Sequence, residues 1–337
     1  MPSVPPAPSI PTRPLGRTGR TVSVIGLGTW QLGADWGEVT EADARFVLDA
    51  SLDAGVTFYD TADVYGDGRS ESLIGAWRRD RADDRIVVAT KIGRRVDLDP
   101  ELYTMQNFRS WVDRSRANLG MDTLDLVQLH CPPSAVFSID RVFDDLDVLV
   151  AEGALAAYGV SVETSAEALT SIARPHVASV QIVLNAFRLK PLDEVLPVAM
   201  DAGVGIIARV PLASGLLSGR YTHETTFAAD DHRNYNRDGS SFDRGETFAG
   251  VDFDEGVEGA KEFSALAAAA GLEPARAALA WLTQLPGVSV VIPGARNPAQ
   301  ARANASAGEV ADLGPEFTAA LRELYDRRFR AAVHEFW

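Results

Sequence analysis

Short apolar runs, most of them rich in β-branched residues, recur along this chain. In order they are Val22–Gly28, Thr57–Asp60, Ile86–Lys91, Leu124–His130, Ala156–Ser161, Ser179–Asn185, Gly205–Arg209 and Val288–Gly294. Each is short enough to be a strand buried on both faces, as in a parallel sheet. Between most of them lie segments with apolar residues at three- and four-residue spacing, among them Glu41–Ala54, Phe108–Leu119, Asp140–Glu152 and Pro298–Ala307. Thr40 and Ser165 offer N-caps, with Asp43 and Glu167 behind them, and Gly55, Gly120, Gly153 and Gly203 stand just past helix ends. Strand and helix alternating at intervals of roughly 30 residues predict βαβ units and a parallel sheet.

Eight such units predict an α/β fold of one domain, a (β/α)8 TIM barrel spanning residues 13–337. An open doubly wound sheet is the alternative, because the pattern does not specify closure. Two features exceed eight bare units. Arg13–Gly19 and Arg20–Ser23 flank a turn-prone Arg-Thr-Gly and predict a small hairpin at one barrel mouth. Leu212 to Gly256 is a long polar stretch, expected to be a partly ordered loop on the C-terminal face. The proline-rich residues 1–12 read as a flexible lead-in without the apolar core of a secretory signal.

Composition narrows the partners. The chain has 337 residues, 46% of them hydrophobic, enough for a large core. No apolar run approaches the roughly 18 residues of a spanning helix. A net charge of −15 argues against nucleic acid and anionic lipid, which both call for Lys and Arg. The single cysteine, Cys131, excludes an internal disulfide and fits a reducing compartment, so the cytoplasm is expected. Cys131 itself reads either as a redox-sensitive thiol or as a buried bystander. The five histidines show no metal-ligand spacing, so no metal is expected.

Several runs end in a polar residue: Asp60, Lys91, His130, Ser161, Asn185 and Arg209. In a parallel barrel all strand C-termini meet at one face, where active sites lie. Tyr65 follows Asp60 by five positions, in the glycine-bracketed TADVYGDG. A tyrosine can protonate a developing alkoxide, but its free pKa of about 10 calls for tuning. A neighbouring ammonium stabilises the phenolate, and a carboxylate fixes that ammonium. Lys91 and Asp60 can supply these groups, and a neutral His130 can orient or polarise a carbonyl.

At this point the sequence resembles an aldo-keto reductase from about Arg13 to about Arg330. The stretches that carry the resemblance are GLGTW, YDTADVYG, ATKIG, LVQLH, YGVS, PLASGLLSG and IPGARNPAQARAN, in that order. The resemblance implies the catalytic set Asp60, Tyr65, Lys91 and His130, a substrate pocket at Trp30, Tyr65 and His130, and an extended nicotinamide dinucleotide at the barrel mouth. For the cofactor it implies Thr29, Trp30 and Asp60 beside the pocket, Ser161 and Gln181 at the carboxamide, and Leu212 in the loop beside the pyrophosphate. It further implies Gly294, Arg296, Gln300 and Asn304 at the adenosine end. Arg296 is a fitting partner for a 2′-phosphate on so acidic a chain, which favours NADPH over NADH. Trp30 and Trp36 suggest an aromatic wall. Three positions depart from the family's pattern: Val162 replaces a carboxamide-holding asparagine, and Arg209 and Val210 replace an aromatic and a serine. The Arg209 plane is expected to stack in place of the aromatic.

The function expected is reversible, NADPH-dependent reduction of small aldehydes or ketones to alcohols, with Tyr65 as general acid. The alternatives are an NADPH-binding regulatory subunit of low turnover and an unrelated barrel enzyme with Lys91 as a Schiff-base lysine.

Overall fold

The computed structural model describes residues 10–33, 39–81 and 83–337, so Trp36 and the start of the expected tail lie outside the described residues. Two strands, β1 (Thr12–Pro14) and β2 (Thr21–Ser23), pair antiparallel as the expected hairpin. Among the described residues, eight further strands run parallel in chain order. They are β3 (Leu27–Gly28), β4 (Phe58–Asp60), β5 (Val87–Ile92), β6 (Leu126–His130), β7 (Tyr158–Ser161), β8 (Ser179–Val183), β9 (Gly205–Arg209) and β10 (Val288–Val291). The first and last meet: Ile25 bridges Val291, Gly28 bridges Gly294, and the Gly26 N–H donates to the Val291 carbonyl at 2.8 Å. The sheet therefore closes, which rules out the open alternative.

Closure has a packing reason. Phe58, Val87, Ala89, Leu126, Ile207 and Val290 fill the barrel interior together with Leu15 and Val22 from the hairpin. The hairpin thus plugs the N-terminal mouth and leaves only the opposite end for chemistry. Its turn touches the starts of β8 and β9, where the Arg17 N–H donates to Ala178 O at 3.4 Å. Outside the barrel, helices such as Glu41–Asp53, Met105–Leu119 and Asp140–Ala151 bury their apolar faces against the strands. Thr40 caps its helix through the Asp43 N–H, and Gly120 and Gly203 close theirs in left-handed conformation. The helix Ser165–Ile172 is capped by Thr164 rather than Ser165, in a reciprocal box with Glu167. Ser165 is already helical, so its hydroxyl cannot reach the third N–H.

One further outcome differs from expectation. The lead-in is not flexible up to residue 12: Ile10 is buried and the Pro11 carbonyl accepts from the Val24 N–H. The terminal Trp337 is also buried, donating to Asp243 at 3.2 Å with the Arg188 guanidinium 4.3 Å above its ring. It fastens the 212–256 loop to the barrel. That loop is ordered in short pieces, including Ala213–Ser218, His232–Tyr235 and Arg244–Glu246. Among the described residues no helix is long and apolar enough to cross a membrane.

Gly16 carries the plug. Its φ is +47°, and a Cβ there would lie 2.0 Å from Ala178 O and 2.2 Å from Gly205 N. A left-handed residue costs roughly 1–2 kcal/mol, and the backbone must also shift. Gly16→Ala is expected to destabilise by about 3 kcal/mol. Urea unfolding with an unchanged midpoint would show that the plug is dispensable.

Candidate active site

Strand geometry alone brings the candidate residues together. Asp60 ends β4, Lys91 stands one residue before the end of β5, and His130 ends β6. Lys91 is 1% exposed, and each of its ammonium protons has an acceptor. Its Nζ donates to Asp60 Oδ1 at 2.5 Å, to the Thr61 carbonyl at 3.0 Å and to the Tyr65 hydroxyl at 3.2 Å. Asp60 Oδ2 in turn accepts from Gln128 and Gln181 at 3.1 and 2.8 Å. Burial works to lower the Lys91 pKa, but Asp60 and Tyr65 together hold it above its ordinary value. Lys91 is therefore an ammonium, which disfavours a Schiff-base role.

Tyr65 departs from the simplest expectation. Burial raises its pKa, and the downward pull of Lys91, though present, does not overcome that. His130 is pushed well below its ordinary range by burial and then by Arg94, Lys91 and Arg209, so the ring is neutral. Its ring stands edge-on to Tyr65 at 5.9 Å, and Trp30 stacks on Tyr65 at 6.1 Å.

These side chains open into a cavity of about 800 Å³. Thr29, Trp30, Asp60, Tyr65, His130, Gln181, Arg209, Leu212, Gly294, Arg296, Gln300 and Asn304 all line it. Ser161 does not; its hydroxyl lies under the rim, 3.4 Å from Cys131 Sγ. Gln181 reaches the cavity, yet its amide nitrogen is engaged by Asp60 and by Gln128 at 3.1 Å. At the far end Asn304 Nδ2 donates to Gly294 O at 3.0 Å and Gln300 Oε1 accepts from the Arg296 N–H at 2.7 Å. A Cβ on Gly294 would lie 2.0 Å from Gln31 Nε2, so a side chain there would displace the Gln31 amide.

Arg209 is fixed in place by two ion pairs and a backbone carbonyl. It is paired with Glu246, and its Nη2 donates to Glu163 Oε2 at 3.0 Å and to Val162 O at 2.9 Å. The chain beyond it is strained: Val210, Ala213 and Ser214 have φ of 52°, 47° and 54°, rarely adopted by side-chain-bearing residues. Ser214 Oγ accepts from the Phe248 N–H at 3.0 Å and donates to Glu246 O at 3.1 Å, tying this segment to the long loop. Cys131, Glu163 and Glu246 come within 4.8 Å of one another, but the Arg209 guanidinium already supplies the positive charge among them. The Cys131 thiol is buried and pushed up to about 12, a bystander rather than a reactive group.

Sequence reasoning missed Arg94, Glu163, Gln128, Glu246 and the aromatic partners His232 and Phe242, whose rings lie 5.3 and 5.8 Å from Trp30. Arg94 follows the β5 run closely and could have been found there. Glu246 and Phe242 carry no local signal.

The model of the Aldo/keto reductase family matches residues 24–326. The aldo-keto reductase YhdN of Bacillus subtilis is 31% identical over 295 residues, covering 85% of each chain. The aldo-keto reductase str7 of Strobilurus tenacellus is 32% identical over 329 residues, covering 94% of this chain and 92% of its own. Among solved structures, a glycerol dehydrogenase of Gluconobacter oxydans superposes with a TM-score of 0.78 at 27% identity, covering 94% of this chain and 95% of its own. An aldo-keto reductase of Klebsiella pneumoniae in complex with NADPH gives 0.66 at 25% identity, covering 90% and 92%.

Asp63, two residues before Tyr65, is fully buried with neither carboxylate oxygen hydrogen-bonded. Burial, then Glu71, raises its pKa from 3.8 to about 7. A raised carboxyl pKa stabilises the fold fully below its unfolded value, and that contribution is lost as pH rises through the folded value. Asp63→Asn is expected to gain in melting temperature over the parent between pH 4 and pH 8. A constant difference across that range would refute the ionisation.

Proposed function

The chain belongs to the aldo/keto reductase family, and on that footing we propose that it reduces aldehydes or ketones to alcohols with NADPH, Tyr65 acting as general acid. The observation that carries this reading is the 3.2 Å contact between the Lys91 ammonium and the Tyr65 hydroxyl, with Asp60 behind the lysine. A phenol that burial keeps protonated is a loaded acid at neutral pH. When its proton passes to a developing alkoxide, the phenolate left behind is stabilised by Lys91. His130, neutral and lining the same cavity, donates a hydrogen bond to the carbonyl oxygen and holds it toward Tyr65.

The residues fit the cofactor. The cavity runs from Tyr65 and His130 to Arg296 and Asn304, and the bare backbone at Gly28 and Gly294 leaves room along it. Pro298 opens the helix behind Arg296, so the start of that helix faces the adenosine end with positive dipole. Arg296 supplies the cation for a 2′-phosphate, which is why NADPH is preferred to NADH. Bound NADPH supplies the hydride for the carbonyl carbon. Trp30 and Tyr65 wall the substrate, while Gln181, Arg209 and the Leu212 segment border the cofactor. With Arg209 tied to Glu163 and Glu246, its part there is to close the rim.

Tyr65→Phe is expected to lower NADPH oxidation with 4-nitrobenzaldehyde by a factor of about 10² or more, the scale of a lost general acid, with NADPH binding retained. Turnover left at the parent level would remove Tyr65 from this role. Arg296→Ala is expected to weaken NADPH by roughly 10- to 100-fold, the range of a charge-assisted contact, and NADH by much less. Equal weakening of both would show that Arg296 does not read the 2′-phosphate.

A further inference from the structure

Beside His130, four charged side chains form a row of alternating sign, and three of them, Arg94, Arg209 and Glu246, line the cavity. Arg94 Nη2 donates to Glu163 Oε1 at 3.3 Å, Glu163 Oε2 accepts from Arg209 Nη2 at 3.0 Å, and the other arm of Arg209 pairs with Glu246. Arg94 is anchored beside the site, its Nε donating to the His130 carbonyl at 2.9 Å. Both oxygens of Glu163 and both terminal nitrogens of Arg209 are engaged by neighbours, while the Arg209 Nε is buried without a hydrogen-bond partner. At the ends of the row, Arg94 Nη1 and Glu246 Oε2 have no hydrogen-bond partner among the described residues. Neither belongs to the buried unpartnered atoms, so both remain accessible, and both residues line the cavity.

The row therefore presents a donor at one end and an acceptor at the other, with no net charge. A carboxylate that reached Arg94 would also face Glu246, and an ammonium drawn to Glu246 would face Arg94. A plain alkyl chain would leave both end groups dry and unpaired, at a cost. Hydroxyl groups, which both accept and donate, suit either end. Trp30 and Phe242, 5.8 Å apart, line the same cavity and offer an apolar face suited to the carbon backbone of the same molecule.

We propose that Arg94 and Glu246 are specificity-determining residues that read the hydroxyl groups of a neutral, hydroxylated aldehyde or ketone. This rests on the carbonyl-reductase reading above. It also gives Arg209 a purpose: it sets the spacing between the two carboxylates.

The test is kcat/KM with NADPH for three aldehydes of similar size, D-glyceraldehyde, propanal and glyoxylate, with 4-nitrobenzaldehyde as an activated reference. Glyceraldehyde is expected to exceed propanal by about 10- to 100-fold, the value of hydrogen bonds to charged groups, and glyoxylate to rank last. Arg94→Met and Glu246→Gln are each expected to cut the glyceraldehyde-to-propanal ratio about tenfold. NADPH binding, followed by fluorescence, reports whether each variant keeps its fold; if Glu246→Gln loses it, Arg94→Met decides. A parent ratio near one, a preference for glyoxylate, or a ratio unmoved in folded variants overturns the proposal while leaving carbonyl reduction standing. No turnover of any of the four overturns both.

Discussion

An ammonium ion sealed inside a barrel is the constraint to which the rest of this molecule answers. Taking Lys91 out of water costs several kcal/mol unless every proton finds an acceptor. Here Asp60, the Thr61 carbonyl and the Tyr65 hydroxyl meet that demand between them. The Asp60 carboxylate has the same problem in reverse, answered at its second oxygen by Gln128 and Gln181. Strands β4, β5, β6 and β8 thus each contribute a member to one network. Small changes in strand register would break it, so the ion pair and the barrel specify one another. The pair is weak evidence for stability in itself; its worth is that one arrangement satisfies it.

The rim repeats the same logic one layer outward. Arg209 at the end of β9 is buried where water cannot solvate it, and Glu163 and Glu246 compensate. One of these carboxylates follows β7 closely, and the other comes from the long loop after β9. Neutralising Arg209 therefore requires that loop to fold back over the mouth, which Ser214, Asp243 and Trp337 reinforce. The positive φ values at Val210, Ala213 and Ser214 are the backbone's share of that return path.

Much of this was legible in the sequence, and the limits have physical causes. The strands were readable because burial on both faces leaves continuous apolar runs, and Asp60, Lys91 and His130 because the barrel sends every strand end to one face. The hairpin was readable from its turn residues. What escaped depended on partners distant in the chain. Nothing near Gln181 announces that its amide nitrogen will turn toward Asp60, and nothing near Arg209 announces Glu246. The burial of Ile10 is decided by Val24 and Gly308, against which it packs, and no proline-rich prefix can signal that. Ser161 was placed by its strand end correctly, but a strand end turned under the rim does not line a cavity. Topology can be read from local pattern; the direction of a polar side chain cannot.

The raised pKa of Tyr65 looks at first like an argument against its proposed use as an acid at neutral pH. The comparison that matters is between phenol and alkoxide in the same cavity, not between phenol and water. Burial penalises both anions, and a bare alkoxide is far more basic than a phenolate. The ammonium 3.2 Å away stands beside the phenolate and is already fixed there by Asp60 before any proton moves. No solvent need reorganise when the charge arrives. Desolvation, which opposes ionisation at rest, thereby steepens the gain when the proton leaves, since the same dry surroundings that raise the phenol's pKa strengthen the attraction of its cation.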